Sequence, residues 1–468
     1  MVPSAPAAYV QPATPDPAAA RAHFARGTAL EQRRDLQGAE TAYRAAIDSN
    51  PSMAAAHDRL GFVLGQQGRT AEAIEEFHRA VALAPDLADA QYHLGATLWW
   101  TKQVEAARPP LQRAVALRPG HADARYYLGV VKRQTGDLAG AVDELRAAIR
   151  IDPRLAIAHV QLGAALQAWG DLDGAIAAFE RAAALDPARP DAPGSLGLAL
   201  MQKGDAVRAV STLRDAVARH PDYGTARLNL GTALLQSGDV NGAIDAYRAL
   251  IDREPANAEA WYDLGLALKQ KDDFAAAEPA FRTALRLDPS MAEASYSLGA
   301  VLWQTGHGDE AVDAFRAALD RRPAYDEAHF MLATILRQRG DPAAALTEFR
   351  AATRANPHYA EAFTSIGQLL GSQRDDTGAA AAFATADRLN RRKADSQAAT
   401  FAISAGRDRL AKGDVQGAIG RFREAVRLAP EDAQAHYQLA LALRRGGATR
   451  EARAEYETAR RLAPYLRW

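Results

Sequence analysis

Apolar and polar positions alternate along the chain in short bursts with helical spacing. In residues 258–291 the segment AEAWYDLGLAL sets Trp261, Leu264, Gly265 and Leu268 on one helical face, at offsets of 3, 4 and 7. A polar break at 271–273 follows, and Ala277, Phe281 and Ala284 then form a second stripe that Asp288–Pro289 ends. Proline cannot continue a helix, and it restricts the residue before it. These 34 residues predict a helix, a tight turn and a second helix.

The same pattern returns along the chain. Prolines stand at 51, 85, 119, 153, 187, 221, 255, 289, 323 and 357, always 34 residues apart, and again at 430 and 464. With each proline at position 32 of a 34-residue unit, thirteen units can be laid out. Residues 1–19 precede them, eleven units fill 20–393, 394–398 break the register, two more units fill 399–466, and 467–468 close the chain. Between the two stripes the break is often Gly-Asp, as at Gly136–Asp137, Gly170–Asp171 and Gly238–Asp239. Glycine fits the left-handed stop of the first helix and aspartate caps the second. Position 20 is alanine in all thirteen units, and position 8 is glycine except at Ala333 and Ala440. Position 24 is large, for example Tyr43, Phe77, Phe179, Phe281 and Phe422. Closely packed helices need small residues where their axes approach.

This pattern resembles the tetratricopeptide repeat, whose W-x2-L-G-x2-Y…A-x3-F…P signature it matches. The resemblance covers residues 20–466. It departs at the eleventh unit, where Arg391 replaces the proline, and at the sixth, which carries Pro190, Pro193 and Gly194. The resemblance implies an all-α solenoid of antiparallel helix pairs in a right-handed superhelix, its inner groove lined by the first helix of each unit. Stability then sums over units and their interfaces. A length of 468 residues suggests about three domains on size alone; the period replaces them with one solenoid, with candidate hinges at 187–193 and 394–398.

Composition narrows the function. The chain has 56 Lys+Arg against 57 Asp+Glu, a net charge of −1, which argues against binding nucleic acid through a broad basic field. There is no long apolar run to span a membrane. Cysteine is absent, excluding disulfides and thiolate chemistry without choosing a compartment. Only seven lysines occur, and that arginine and alanine bias hints at a GC-rich bacterial genome. Residues 1–19 are Pro- and Ala-rich, predict a flexible lead, and lack the basic and apolar stretches of a signal peptide. Location therefore stays open: cytoplasmic by default, exported or periplasmic if a leader is missing.

Catalytic chemistry is not written in the motifs. The chain holds no phosphate-binding loop, nucleophile elbow or H-E-x-x-H. His23, His57, His159, His329 and His436 share position 4, which faces a neighbouring helix, so they read as packing residues in place of Trp. Acids at position 2, such as Asp89, Glu259 and Glu293, read as partners of the helix dipole. A non-enzymatic protein with no cofactor and no metal is expected.

Candidate binding residues lie beside the core stripe, at positions 2, 5, 6, 9, 12 and 13. In units three and four that face carries Tyr92, His93, Trp99, Trp100, Tyr126, Tyr127 and Arg133. In units eight to ten it carries Tyr262, Asp263, Lys269, Tyr296, Trp303, Phe330 and Arg337. Trp, Tyr and Arg most often dominate interface energetics. Position 5 aromatics can also pack against the next unit, so Trp99, Trp100 and Trp303 are the stronger candidates. Gln66, Gln134 and five more units carry glutamine at position 13, either a ladder for an extended peptide or a polar helix end. No unit has the Lys-5/Asn-9 clamp of the family's chaperone-tail binders. The leading reading is a scaffold that binds a protein or extended peptide in its groove. The alternatives are a substrate-selecting or regulatory arm of an enzyme complex, such as a glycosyltransferase acting in trans, and a self-assembling structural protein that associates through its uncapped last repeat.

Overall fold

A computed structural model describes residues 16–466. The chain divides into two compact units, Met1–Ser195 and Leu196–Trp468. The first ten helices are α1 (Pro17–Gln32), α2 (Leu36–Ser49), α3 (Ala54–Gln66), α4 (Thr70–Leu83), α5 (Ala88–Trp100), α6 (Val104–Leu117), α7 (Ala122–Gln134), α8 (Leu138–Ile151), α9 (Ala156–Trp169) and α10 (Leu172–Leu185). Then come α11 (Asp191–Lys203), α12 (Ala206–Arg219), α13 (Gly224–Gln236), α14 (Val240–Ile251), α15 (Ala258–Gln270), α16 (Phe274–Leu287), α17 (Ala292–Gln304) and α18 (Gly308–Arg321). The series ends with α19 (Asp326–Gln338), α20 (Pro342–Ala355), α21 (Ala360–Ser372), α22 (Asp376–Ala411), α23 (Val415–Leu428), α24 (Ala433–Arg445) and α25 (Thr449–Leu462). No strand occurs among the described residues, and consecutive helices pair as an all-α solenoid.

The turn inside each unit is uniform. Position 15 has a positive φ in all thirteen units: nine are glycines and four are Arg34, Lys102, Asp272 and Arg374, at 61–64°. The left-handed residue stops the first helix, and in most units an aspartate next to it caps the second; Arg69, Gln103, His307 and Ala448 stand there without a side-chain cap. Asp137, Asp171, Asp239, Asp375 and Asp414 each accept a hydrogen bond from the backbone N–H three residues on, as expected of an N-cap.

Where position 8 is glycine the position 24 side chain lies on it, a ring in most pairs and Leu111, Leu145 or Leu213 in three. A Cβ added at Gly27, Gly163 or Gly265 would come within 2.6 Å of Tyr43, Phe179 or Phe281. Those three rings are fully buried, as are the position 20 alanines beside them. The small-against-large pattern of the sequence is thus the close approach of two helices.

Position 4 joins successive units. His57 Nε2 lies 3.1 Å from the Pro51 carbonyl, Gln91 donates to Pro85 at 2.9 Å, Arg125 to Pro119 at 2.8 Å, and Trp261 to Pro255 at 3.0 Å. The histidines are packing residues, as their shared position predicts. They also carry a hydrogen-bond donor, which explains why His, Gln, Arg and Trp alternate there. At position 2, Asp89 and Glu293 take Arg118 and Arg322 of their own units at 2.6 and 2.7 Å, besides placing negative charge in the first turn of their helices.

Three expectations change. The lead is shorter than residues 1–19, because Asp16 accepts from the Ala18 and Ala19 N–H groups and Pro17 opens α1; residues 1–15 lie outside the described residues. The register break at 394–398 is not a break in the backbone. With Arg391 in place of proline, nothing stops the helix, and α22 runs 36 residues as both the second helix of unit 11 and the first of unit 12. Thirteen units therefore give 25 helices among the described residues. In unit 6, Pro193 sits in the first turn of α11, where proline is tolerated. At the C-terminus, Leu466 folds back to pack with Ala459 and Ala463, and its carbonyl accepts from the Tyr456 hydroxyl at 3.2 Å.

Candidate functional site

The first helices of units 2 to 4 (α3, α5 and α7) assemble an aromatic cluster. Trp99 and Trp100 end α5, at consecutive positions that point to different sides. Trp100 is 69% exposed, and its indole N–H donates to the Tyr127 hydroxyl at 3.2 Å. Trp99 is half-buried behind it, with centroids 5.2 Å from Trp100 and 5.3 Å from Tyr127, both edge-on. Its indole N–H donates to Gln134 Oε1 at 2.8 Å. Tyr92 lies 6.0 Å from Tyr127 and 5.3 Å from His93, and His93 Nδ1 is 2.7 Å from Asp58 Oδ1.

These side chains bound an open cavity of about 560 Å³, walled by Phe62, Tyr92, Trp100 and Tyr127 with Gln66 and Thr97. A cavity of this size and apolar lining, with a few polar groups, is what side-chain recognition requires. Six of the seven residues expected in units three and four therefore belong to one cluster: Tyr92, His93, Trp99, Trp100, Tyr126 and Tyr127. Tyr126 is its buried member, edge-on to Tyr127 at 5.0 Å, and burial pushes its hydroxyl up to about 12. Arg133 donates to Gln161 of the next unit at 3.1 Å, and burial lowers its pKa. Phe62 was not among the residues expected from sequence. It sits at position 9 of unit 2 on the same face, so the pattern held the signal.

The second candidate group lies in the other compact unit, on α15, α17 and α19. Here the position 5 rings are engaged in packing. Tyr262, Tyr296 and Phe330 lie 5.9, 5.6 and 5.4 Å from the position 24 phenylalanines of their own units. Tyr296 also meets Tyr325 at 5.1 Å, and Phe330 stacks on Tyr359 at 4.9 Å. Trp303 is half-buried with its ring edge against Gly308. Arg337 donates to Gln368 at 3.3 Å. Burial, helped by the charge of Glu259, raises the Asp263 carboxyl to about 7, and burial lowers the Lys269 ammonium. Among the described residues no cluster of His, Asp and Glu could hold a metal ion. No helix among them is long and apolar enough to cross a membrane.

Family comparisons agree with the repeat. A family model described as "Tetratricopeptide repeat" matches residues 7–54, 101–156, 160–224, 195–258, 228–272, 262–326 and 403–466. A second of the same description matches 302–369, and one described as "TPR repeat" matches 64–99. The chain belongs to the tetratricopeptide repeat family. Among solved structures it is similar to YrrB, titled a TPR protein with an unusual peptide-binding site, at 26% identity over 36% of this chain and 88% of that one, TM-score 0.34. It is similar to MamA from Desulfovibrio magneticus RS-1 at 23% identity over 36% of this chain and 97% of that one, TM-score 0.33. The Cut9–Hcn1 hetero-tetramer of the APC/C is similar at 15% identity over 96% of this chain and 94% of that one, TM-score 0.38. No curated protein matches the sequence.

Proposed function

We propose that the protein is a non-catalytic interaction scaffold whose α3–α5–α7 face binds an extended segment of a partner protein. The observation that carries this reading is the aromatic cavity walled by Phe62, Tyr92, Trp100 and Tyr127, with Trp100 mostly in solvent. A large indole left exposed costs free energy in the unbound protein, at about 25 cal/mol per Å² of apolar surface, and regains it when a partner covers it. Trp99 holds Trp100 and Tyr127 in place edge-on. Gln66 and Thr97 supply polar groups at the rim for a peptide backbone or a polar side chain. The position 5 rings of units eight to ten serve their own helix pairs, so the binding role falls first on units two to four.

Panning the full-length protein against a phage library of random 12-residue peptides tests this reading. Enriched peptides carry a bulky apolar residue, and the double variant Trp99→Ala/Trp100→Ala binds them at least about tenfold more weakly. The helical circular-dichroism signal stays unchanged, because Trp100 is mostly in solvent and Trp99, though half-buried, lies in the last turn of α5. Undiminished binding by the double variant discards the site.

A further inference from the structure

The middle of α22 is unlike any other helix of the chain. Residues 390–398 are all exposed, whereas in no other helix among the described residues do more than three exposed residues follow one another. In other units the second helix is covered by the first helix of the next, as α4 is by α5, α16 by α17 and α23 by α24. In α22 those two helices are one continuous rod, so neither covers the other. The sequence has adapted both halves to this arrangement. Position 28, apolar in Ile47, Val81, Val115 and Leu285, is Asp387 in unit 11. Position 3 is a fully buried alanine in units 2–11 and 13, such as Ala56, Ala260 and Ala435, but is Phe401 in unit 12, 77% exposed.

Phe401 has a counterpart on the same rod. Phe383, which ends its unit's stack, leaves 39% of its surface exposed. Residues 383 and 401 are 18 apart, which is five whole turns, so the two rings share one azimuth about 27 Å apart along the axis. Between them the face carries Asp387, Asn390, Ala394 and Gln397, with Asp387, about 40° off the line, its one acid. At 100° per residue, Arg391 and Lys393 fall about 80° to either side, one on each rim of the strip. Neither takes part in an ion pair among the described residues, and Arg388 is a third cation without one. Arg392, on the far side, pairs with Glu431 at 3.2 Å. Charge is unevenly placed along the chain as well: residues 388–468 hold 17 Lys+Arg against 9 Asp+Glu, in a protein whose net charge is −1.

We propose that this strip of α22, from Phe383 to Phe401, is a second docking surface that receives an acidic amphipathic helix of a partner protein. Apolar side chains of that helix cover Phe383 and Phe401, and its carboxylates face Arg391 and Lys393. Charge selects the occupant. A second copy of α22 laid antiparallel would level Phe383 with Phe401, but it would bring two sets of Arg388, Arg391 and Lys393 together. Like charges in register are disfavoured, and an acidic partner turns the same groups into attraction. Helices that bind in this way present anchors at i, i+3, i+4 and i+7.

Three synthetic 26-residue peptides test the assignment on the full-length protein: a leucine-striped helix with glutamate flanks, the same stripe with lysine flanks, and a scramble of the glutamate peptide. The glutamate-flanked helix is expected to bind at least about tenfold more tightly than the other two, and to weaken as salt rises. Arg391→Glu/Lys393→Glu reverses the preference between flanks, and Phe401→Ala weakens binding roughly tenfold. Trp99→Ala/Trp100→Ala leaves this binding unchanged, which separates the surface from the α3–α5–α7 cavity. Equal binding of the scrambled peptide overturns the proposal, as does indifference to the Arg391/Lys393 double variant. A dimer by light scattering that Phe401→Ala dissolves, or tighter binding of single-stranded oligo-dT than of the glutamate peptide, assigns the strip to another occupant and also overturns it.

Discussion

Single side chains in this protein repeat their tasks unit after unit, and position 4 shows how much one residue settles. In His57 both ring nitrogens face oxygens: Nδ1 lies 2.6 Å from Glu76 Oε2 and Nε2 3.1 Å from the Pro51 carbonyl. His329 repeats the arrangement with Glu348 at 2.6 Å and Pro323 at 3.0 Å. A neutral imidazole donates from only one nitrogen, so two acceptors favour the imidazolium. The hydrogen bond to Glu76 raises the pKa of His57 above the ordinary 6.5, against the opposing effect of burial, and Glu348 does the same for His329. A raised folded-state pKa gives stability that is fully present below about 6.5 and is lost as pH climbs through the raised value. His57 and His329 should therefore tilt the thermal midpoint downward from pH 6 towards mildly alkaline pH, against the opposite contributions of His121 and His159, whose pKa values burial lowers. Glu76→Gln with Glu348→Gln should flatten that slope. A slope of the same size in the double variant would refute the assignment.

At the scale of the element, the turn and the long helix show what could and could not be read from sequence. The helix pairs, their caps and the small-against-large contact were legible, because each rests on a residue type repeated at one position. The left-handed turn was legible only where glycine marks it. Arg34, Lys102, Asp272 and Arg374 adopt the same φ without that mark, since a three-residue turn between two packed helices leaves the backbone little alternative. A non-glycine residue there carries a steric cost of roughly 1–2 kcal/mol, against a smaller gain from its stiffer unfolded chain. Arg374→Gly should thus raise the thermal midpoint, by an amount equivalent to at most about 1 kcal/mol, whereas Gly340→Arg should lower it. The continuous α22 was not legible, although its cause was visible. The five extra residues interrupt the 34-residue register, but a segment without proline or glycine between two helices is free to stay helical, and Arg391 removes the one residue that would have ended it. Trp99 and Trp100 stand out in the sequence because they occupy positions 12 and 13, beside the core stripe, where burial is less frequent. The position 5 rings of units eight to ten were harder to judge, since the rings that cover them are contributed 19 and 29 residues later, as Phe315 and Tyr325 are for Tyr296.

For the whole molecule the consequence is that stability is local. Each helix pairs strongly with the partner of its own unit and more weakly with the next, and the buried residues form a series of clusters along the chain, not one core. In such an array the cost of a core truncation is felt by its own unit and its neighbours, because nothing distant shares its contacts. Leu264 is a buried residue of the position 7 stripe on α15. Leu264→Ala should cost roughly 2–5 kcal/mol as a cavity in that unit. Hydrogen exchange resolves where the cost falls: protection should drop in α15, α16 and the adjoining helices α14 and α17, while amides in α3 to α8 exchange as in the wild type. A uniform loss across the chain would mean that the units unfold as one cooperative body, and the two docking surfaces would then be coupled through global stability. The local outcome would mean that a peptide bound at the proposed Trp100 site and one bound on the proposed α22 strip each stabilise only the units they touch.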